Sequence, residues 1–239
     1  MPRELLYNNG RVKLYRDGGR AIKVLPATAY GYLKKAANRQ AFARDAGLPV
    51  PAVHGLRRAG RQIELYMDYV DGQGFASEEI AVIEMAKLHA RIGRVNGAGL
   101  PRFSKHIARE IKKSPHLAGS VKKKLLSLLR RLDTGKTNLC HGDMHPGNLL
   151  FDGEKTWIID WSPGSVSRGD PAADACNTYL YQLRFTPQYA KLYLRTFCVA
   201  SGVAREDVLA WLPVIAGYQV NIKDGEERRF ILDIISPTM

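Results

Sequence analysis

Side chains able to bind a metal ion or move a proton lie close together in the segment CHGDMHPGNLLFDGEKTWIIDW. Asp143 and Asn148 occupy its first part, and Asp160 ends an apolar run. Two short strand-like runs, LLF and WII, flank an Asp-Gly turn, which predicts a hairpin that brings Asn148 and Asp160 together. An amide oxygen and a carboxylate oxygen at one place form a hard-oxygen site of the kind that holds Mg²⁺.

Asp143 precedes this hairpin on a loop, where a carboxylate can hold an incoming hydroxyl group and accept its proton. With a cation at Asn148 and Asp160, the arrangement fits in-line transfer of a γ-phosphoryl group, in which catalysis is mostly positioning and charge neutralisation. The run from His141 to Asn148 also has the spacing of the kinase catalytic loop H-R-D-x-x-x-x-N, with glycine for arginine. We therefore expect Asp143, Asn148 and Asp160 to converge around one divalent ion.

The elements that must position these residues follow from the pattern of the rest of the chain. Residues 11–16 and 20–25 alternate as strands around an Asp-Gly-Gly turn, and 61–70 is a further alternating strand. Residues 30–46 contain helix formers and end at a glycine cap. Further helical segments are predicted over 77–95, 104–113, 119–132 and most of 172–236. The pattern predicts a small antiparallel sheet with one helix, followed by a larger helical part.

The sequence resembles the aminoglycoside phosphotransferase and choline kinase family. HGDMHPGN matches the family's HGDxHPGN loop, and IIDW matches its metal motif. AIKVL, GLPVPAVHG, MDYVDG, KLHARI and GDPAADAC stand in the family's order, so the resemblance covers about residues 10–180. It implies an α+β, bilobal protein-kinase-like fold, with 1–70 as the nucleotide-binding lobe and 71–239 as the catalytic and substrate lobe.

The resemblance also implies a role for the residues of the loop and the metal motif. Asp143 would orient and deprotonate the acceptor hydroxyl, and Asn148 and Asp160 would bind Mg²⁺. His141 would brace the loop, and His145 would contact a phosphate. Asp170 and Asp174, in the later GDPAADAC motif, would tie that segment to the core.

Other matching residues would bind the nucleotide, which the resemblance implies is ATP. Lys23 would pair with the α- and β-phosphates. The segment from Met67 to Val70 would line the adenine pocket, with the carbonyl of Asp68 and the amide of Val70 bonding the base.

The phosphate-covering loop departs from the family pattern. Only Gly10 stands near the expected turn, because Gly18 and Gly19 belong to the next hairpin. We therefore expect a less complete backbone cradle for the phosphates.

The helix glutamate that usually holds the strand lysine in kinase-like folds is also missing. The chain has no glutamate between Glu4 and Glu64. The family pattern places Ala36, Asn38 or Gln40 near the required position. Of these, Gln40 could accept a hydrogen bond from Lys23.

The net charge of +13 is concentrated in the first 136 residues. A solvated basic face that attracts a phosphorylated ligand is favoured over a nucleic-acid site, because charge bias alone indicates only nonspecific binding and no recognition motif accompanies it. The longest apolar runs are too short to span a bilayer. The three cysteines are scattered, which favours a reducing cytoplasm over a disulfide framework.

The pattern favours an ATP-dependent small-molecule phosphotransferase that uses Mg²⁺ and an alcohol acceptor. The alternative is a nucleotide-binding regulatory module with little or no catalysis, which the missing glutamate and the sparse glycine loop would explain. A protein serine/threonine kinase is disfavoured because no activation segment is evident within 161–171, and nucleic-acid binding comes last. The acceptor, the choice between ATP and GTP and the oligomeric state stay open at this point.

Overall fold

An antiparallel sheet occupies the N-terminal part of the chain, in a computed structural model that describes residues 3–73, 75–221 and 225–236. Its strands are β1 Glu4–Asn8, β2 Lys13–Asp17, β3 Arg20–Pro26, β4 Val53–Ala59 and β5 Gln62–Asp68. The strand order is β1-β2-β3-β5-β4, with every neighbouring pair antiparallel. Helix α1, Tyr30–Asp45, follows β3 after a short 3₁₀ turn.

Alternation along the strands builds the core of this sheet. One face of β3 and β5 presents Leu25, Ile63 and Leu65, which pack against Leu33 and Ala37 of α1. Side chains alternate between the two faces along a strand. Lys23 is two residues before Leu25 in β3, so it lies on the same face as Leu25, which is the face that α1 covers.

The later part of the described chain is mainly helical. Ser77 caps the first of these helices, since its hydroxyl accepts a hydrogen bond from the Ile80 amide at 3.3 Å. The helices are α2 Glu78–Ile92, α3 Phe103–Lys113, α4 Gly119–Leu132, α5 Pro171–Phe185, α6 Pro187–Ser201, α7 Arg205–Ala210, α8 Leu212–Gln219 and α9 Gly225–Ile235. Helix α8 packs against α3, α4 and α5, and a Cβ on Gly217 would lie 2.5 Å from Leu125 Cδ1, so a side chain at this position would have to displace the buried Leu125.

Two short antiparallel pairs of strands complete the described elements. They are β6 Asn138–Cys140 with β9 Ser167–Gly169, and β7 Leu149–Phe151 with β8 Thr156–Ile158. The predicted hairpin around residues 152–153 is therefore confirmed.

The chain divides into two compact units. The first comprises Met1–Ala76 and Pro146–Ser165, and the second comprises Ser77–His145 and Val166–Met239. The β7–β8 hairpin thus belongs to the unit that contains the N-terminal sheet. The functional division into 1–70 and 71–239 stays a prediction.

The predicted α+β class, an N-terminal antiparallel sheet followed by helices, is confirmed. Two strands of the N-terminal sheet were not anticipated. β1 is exposed along its whole length, and β4 contains a glycine at φ +147° and several polar residues, so neither shows the alternation that reveals a strand in sequence. Among the described residues, no helix is both long and apolar enough to cross a bilayer.

Candidate active site

The hairpin β7–β8 brings the two predicted metal ligands, Asn148 and Asp160, close to each other. Asn148 directly precedes β7, and its carbonyl accepts a hydrogen bond from the Ile159 amide at 3.0 Å, just after β8. Asp152 closes the turn, because its carboxylate accepts from the amides of Glu154 and Lys155, both at 2.9 Å. The first unit thus brings the positions of Asn148 and Asp160 together, as the hairpin pattern predicts.

Asp160 has an unusual backbone conformation. Its φ is +58°, and among the described residues it is the only non-glycine with a positive φ. An L-residue in this region costs about 1–2 kcal/mol, because its Cβ crowds the following carbonyl. Strain of this kind persists where the surroundings demand a particular side-chain direction, and it is frequent at functional sites.

Lys23 is the ion-pair partner of Asp160. Its Nζ lies 3.4 Å from Asp160 Oδ1, and both side chains are partly exposed. The structure thus brings together the predicted nucleotide lysine and a predicted metal ligand. Such a pair contributes only about 0–1 kcal/mol, so it can rearrange when a phosphate or a cation competes for either group.

The suggested bond between Gln40 and Lys23 is not formed. Gln40 Nε2 instead donates to the carbonyl of Pro51 at 2.9 Å. Since Pro51 lies in the extended segment before β4, Gln40 ties α1 to that segment.

The turn between β1 and β2 uses its own side chains to hold its amides. Asn8 Oδ1 accepts from the Gly10 amide at 2.9 Å. Asn9 Oδ1 accepts from the amides of Arg11 and Val12 at 3.1 and 2.7 Å. In a glycine-rich loop, such amides would donate hydrogen bonds to a phosphate. Here the side chains of Asn8 and Asn9 accept these hydrogen bonds instead, which agrees with the expected incomplete backbone cradle.

The predicted adenine-binding segment begins at the end of β5. Met67 is the cross-strand partner of Ala21, and Asp68 is the last residue of the strand. The Asp68 carboxylate accepts from the Ala52 amide at 2.9 Å and lies 2.7 Å from His54 Nε2. Burial raises the pKa of Asp68, but these contacts outweigh burial and leave the pKa below its ordinary value.

Close packing holds the chain just beyond this segment. A Cβ on Gly72 would lie 2.5 Å from Leu150 Cβ, so the glycine of MDYVDG permits the approach of β7. The Gln73 amide donates to the Phe151 carbonyl at 2.7 Å. Both contacts lie within the first unit and hold the chain at Gly72 and Gln73, shortly after Val70.

The loop that carries Asp143 lies in the second unit and is held by α5. Asp174 accepts from the amides of His141 and Gly142 at 2.7 and 2.9 Å. Asn177 Nδ2 donates to the Gly142 carbonyl at 2.9 Å, and Thr178 Oγ1 donates to the Met144 carbonyl at 3.0 Å. Asp143 itself is exposed between these anchored residues. The loop is therefore rigid on both sides of the side chain that would act as the base.

Asp174 is buried with His89 as its charge partner. His89 Nε2 lies 2.9 Å from Asp174 Oδ2, and both residues are 1% exposed. Burial raises the pKa of Asp174, but the charge and hydrogen bond of His89 and the amide of Gly142 outweigh it and leave the pKa lowered. The structural role expected for Asp174 agrees with these contacts, whereas Asn177, Thr178 and His89 were not expected to take part in them. The positions 174, 177 and 178 share one helix face, which was the available signal.

The two histidines of the loop motif differ in their surroundings. His141 is fully buried, as a bracing residue would be. The ring of His145 stacks on Tyr181 of α5, with centroids 5.2 Å apart and planes at 19°. Its predicted phosphate contact stays a prediction.

The two predicted metal ligands, Asn148 and Asp160, carry an amide and a carboxylate, which are donor types that suit Mg²⁺. Mg²⁺ is commonly bound through one or two protein oxygens, with waters and phosphates completing the octahedron, and these two residues would supply such a pair. Among the described residues, no three His, Cys, Asp or Glu side chains form a cluster that could hold an ion.

Comparison with known proteins identifies the family. The chain matches the model of the phosphotransferase enzyme family over residues 11–211. No curated protein sequence matches it.

Solved structures share its fold at low sequence identity. An aminoglycoside-3'-phosphotransferase of type VIII has a TM-score of 0.61 and 21% identity, covering 90% of this chain and 93% of that chain. Choline kinase LicA from Streptococcus pneumoniae has a TM-score of 0.68 and 15% identity, covering 99% and 94%. A thermostable mutant of aminoglycoside phosphotransferase APH(4)-Ia, in ternary complex with AMP-PNP and hygromycin B, has a TM-score of 0.68 and 15% identity, covering 98% and 92%.

These likenesses establish the protein-kinase-like fold, and the family match covers most of the chain, including the strand lysine, the loop of Asp143 and the metal motif. This chain therefore belongs to the phosphotransferase enzyme family.

Proposed function

We propose that this chain transfers the γ-phosphoryl group of ATP to a hydroxyl group of a small molecule, with Mg²⁺ bound. Family membership supports a small-molecule phosphotransferase. The observation that carries the proposal is the ion pair between Lys23 and Asp160, because it unites a phosphate-binding cation and a metal-binding carboxylate predicted from separate motifs.

The proposed reaction is an in-line displacement at phosphorus. The acceptor oxygen forms a bond to the γ-phosphorus, the bond to the β–γ bridging oxygen breaks, and ADP leaves. Asp143 holds the acceptor hydroxyl and takes its proton. The braced main chain on both sides of Asp143 supports this role, since a base must be held within hydrogen-bond reach of the group it deprotonates.

The remaining roles concern the nucleotide and the metal. Lys23 binds the α- and β-phosphates, and Met67, Asp68 and Val70 form the adenine site. Asn148 and Asp160 hold Mg²⁺, which when bound neutralises charge on the β- and γ-phosphates. His141 braces the loop and His145 contacts a phosphate. The convergence of Asp143 with the metal ligands is part of the proposal.

The proposed acceptor is a small alcohol without a high positive charge. The APH(4)-Ia structure contains hygromycin B, but binding of a polycation calls for several unpaired carboxylates. The acidic residues near the C-terminus that could supply such groups are Asp224, Glu226, Glu227 and Asp233. Of these, Asp224 lies outside the described residues. Glu227 is already paired with Arg184 at 2.5 Å, so it is a poor partner for a cationic ligand.

A screen of purified protein against hydroxyl compounds with Mg·ATP tests the proposal. The panel contains sugars, amino alcohols, hydroxy amino acids and aminoglycosides, and both ADP release and the phosphate ester are measured. We expect at least one ester, formed only when Mg²⁺ is present. Phosphate release without an ester for any acceptor would contradict the proposal.

A second candidate, a nucleotide-binding module without turnover, is favoured by the occupied amides of the β1–β2 turn. Saturable Mg·ATP binding with no ADP release across the same panel would support it over the enzyme.

A further inference from the structure

Helix α1 lies against the face of the sheet that carries Lys23. Lys23 shares its face of β3 with Leu25, which packs against Leu33 of α1. Further along the helix, Gln40 Nε2 lies 3.7 Å from Met67 Sδ of β5. The part of α1 between these two contacts is therefore the part that runs past Lys23.

This part of α1 offers no carboxylate. Between Leu33 and Gln40, its buried residues are Ala36, Ala37 and Arg39. A kinase-like fold would carry a glutamate here to hold the lysine. Instead the helix carries alanine and a cation, which cannot pair with Lys23.

Arg39 is buried without a carboxylate. It is 8% exposed, and its Nη1 donates to the carbonyl of Ser162 at 3.1 Å. Among the described residues this carbonyl is its only hydrogen-bond acceptor. Burial lowers the pKa of Arg39, and the nearby Tyr32 only partly offsets this effect, as expected for a guanidinium that loses water without a carboxylate partner. Keeping an arginine in such a place calls for an explanation other than surface charge.

Ser162 belongs to the turn that holds Asp160. The Ser162 amide donates to the Asp160 carbonyl at 2.8 Å, and the Ser165 amide donates to the Ser162 carbonyl at 3.3 Å. The carbonyl that Arg39 binds thus lies two residues beyond the strained backbone of Asp160. Arg39 links α1 to the metal-bearing segment, and Asp160 in turn reaches Lys23.

We propose that Arg39 is a positioning residue that replaces the helix glutamate of kinase-like folds. Instead of holding Lys23 directly, α1 holds the turn 160–162 through a charge-assisted bond, and Asp160 then holds Lys23. A cation held by Asp160 would leave Lys23 available to the phosphates. This inference rests on the proposed function for its consequence in catalysis, but the link itself concerns the free protein.

Helix α1 has a second arginine that provides a matched control. Arg44 Nη1 donates to the Val50 carbonyl at 2.8 Å, in the segment before β4, and lies 3.9 Å from Asp68 Oδ2. Arg39→Met and Arg44→Met each remove one charged donor from the same helix. Only the first should loosen the turn at Asp160.

Amide hydrogen exchange on the free protein tests the link. In Arg39→Met, the amides of Ser162 and Ser165 should exchange about tenfold faster, as expected for loss of a hydrogen bond from a charged group. Arg44→Met should leave those two amides unchanged, and Arg39→Lys should give an intermediate rate. Unchanged exchange in Arg39→Met and Arg39→Lys, or an equal increase in Arg44→Met, would overturn the proposal.

Calorimetry adds a readout that a merely structural role would not move. The Mg²⁺ concentration needed for half-maximal AMP-PNP binding should rise severalfold in Arg39→Met and not in Arg44→Met. An equal requirement in the wild-type protein and Arg39→Met would count against the link. A wild-type protein that binds no Mg·AMP-PNP would refute the proposed function, while hydrogen exchange would still decide the role of Arg39.

Restoring a carboxylate on α1 gives the converse test. Ala36→Glu, with Ala36→Gln as a control of the same size, should lower the phosphotransfer rate, because the new carboxylate draws Lys23 away from Asp160. A higher rate in Ala36→Glu than in both the control and the wild-type protein would show that Lys23 lacks its proper partner, and would overturn the proposed replacement.

Discussion

The ion pair between Lys23 and Asp160 contributes little to the free energy of unfolding but is central to the proposed chemistry. Both side chains are partly exposed, so water screens their attraction. The backbone strain at Asp160, by contrast, is a fixed cost that points to a required side-chain direction. Replacing a single side chain of this pair should therefore reduce function without a comparable loss of folding stability.

Replacing the lysine tests that separation. Lys23→Met should change the free energy of unfolding by less than about 1 kcal/mol, because it removes an exposed ion pair and keeps the packing of the stem. Nucleotide affinity should fall about tenfold or more, since a charged contact to phosphate is lost. Thermal unfolding and calorimetry with Mg·AMP-PNP measure the two effects. Unchanged affinity would remove Lys23 from the nucleotide site.

Asn9 provides a test in the opposite direction. Its Oδ1 occupies the amides of Arg11 and Val12, which a phosphate would otherwise meet. Asn9→Ala should free both amides and lower the KM for ATP severalfold. Steady-state kinetics with varied ATP measures the change. A higher KM would mean that the asparagine prepares the turn for phosphate instead of competing with it.

Helix α5 is the element that holds the loop of Asp143. Its first turns present Asp174, Asn177 and Thr178 to three consecutive parts of that loop. Because Asp174 also pairs with buried His89, its removal leaves a donor group without its partner in the core.

The cost of removing Asp174 should be large. Asp174→Ala should lower the free energy of unfolding by about 3–5 kcal/mol, because the amides of His141 and Gly142 and the buried ring of His89 all lose their acceptor. Asp170→Ala is the control on the same helix, since Asp170 caps α5 through the Ala172 amide at 2.9 Å. It should cost about 0.5–2 kcal/mol. Equal effects in urea unfolding would contradict the account of the loop.

The N-terminal sheet contains a carboxylate that makes stability depend on pH. Glu64 of β5 is 4% exposed and accepts hydrogen bonds from Arg3 at 2.7 Å, from Arg57 at 2.9 Å and from Tyr66. The hydrogen bond of Arg3 lowers the pKa of Glu64, burial opposes it, and the net pKa is about 2. The unfolded value is about 4.3.

The sign of the effect follows from this lowered pKa. Below pH 4.3 the unfolded chain binds a proton that the folded chain rejects, so stability is present above about pH 4.3 and is lost as the pH falls towards about 2. Glu64→Gln should flatten the pH dependence of the melting temperature over this interval. A wild-type protein and variant with parallel curves would show that the arginines do not hold the carboxylate.

The elements differ in how far the sequence predicts them. The helices 30–46 and 119–132 match α1 and α4 within a residue at each end, because caps and apolar spacing are local signals. β1 and β4 leave no such signal, since each takes its place by pairing with a neighbour. The residues of α5 that hold the loop, Asn177 and Thr178 among them, could likewise not be predicted, because the sequence does not show that the loop lies along one face of this helix.

At the scale of the whole molecule, the motif order was sufficient for the family and the fold class. The motif order did not predict how the chain compensates for its departures from the family pattern. The absence of the helix glutamate, for example, does not indicate which residue replaces it. The positive charge of the chain is a property of this scale too: it favours phosphorylated ligands in general and selects no acceptor.

Asp143 is the proposed base of the phosphotransfer reaction. Phosphate-ester formation by the wild-type protein and by Asp143→Asn is compared, with the acceptor that the screen identifies and with Mg·AMP-PNP affinity measured in parallel. We expect Asp143→Asn to lose transfer by about 10²-fold or more while nucleotide affinity stays within about twofold. Transfer at the wild-type rate in Asp143→Asn would contradict this role.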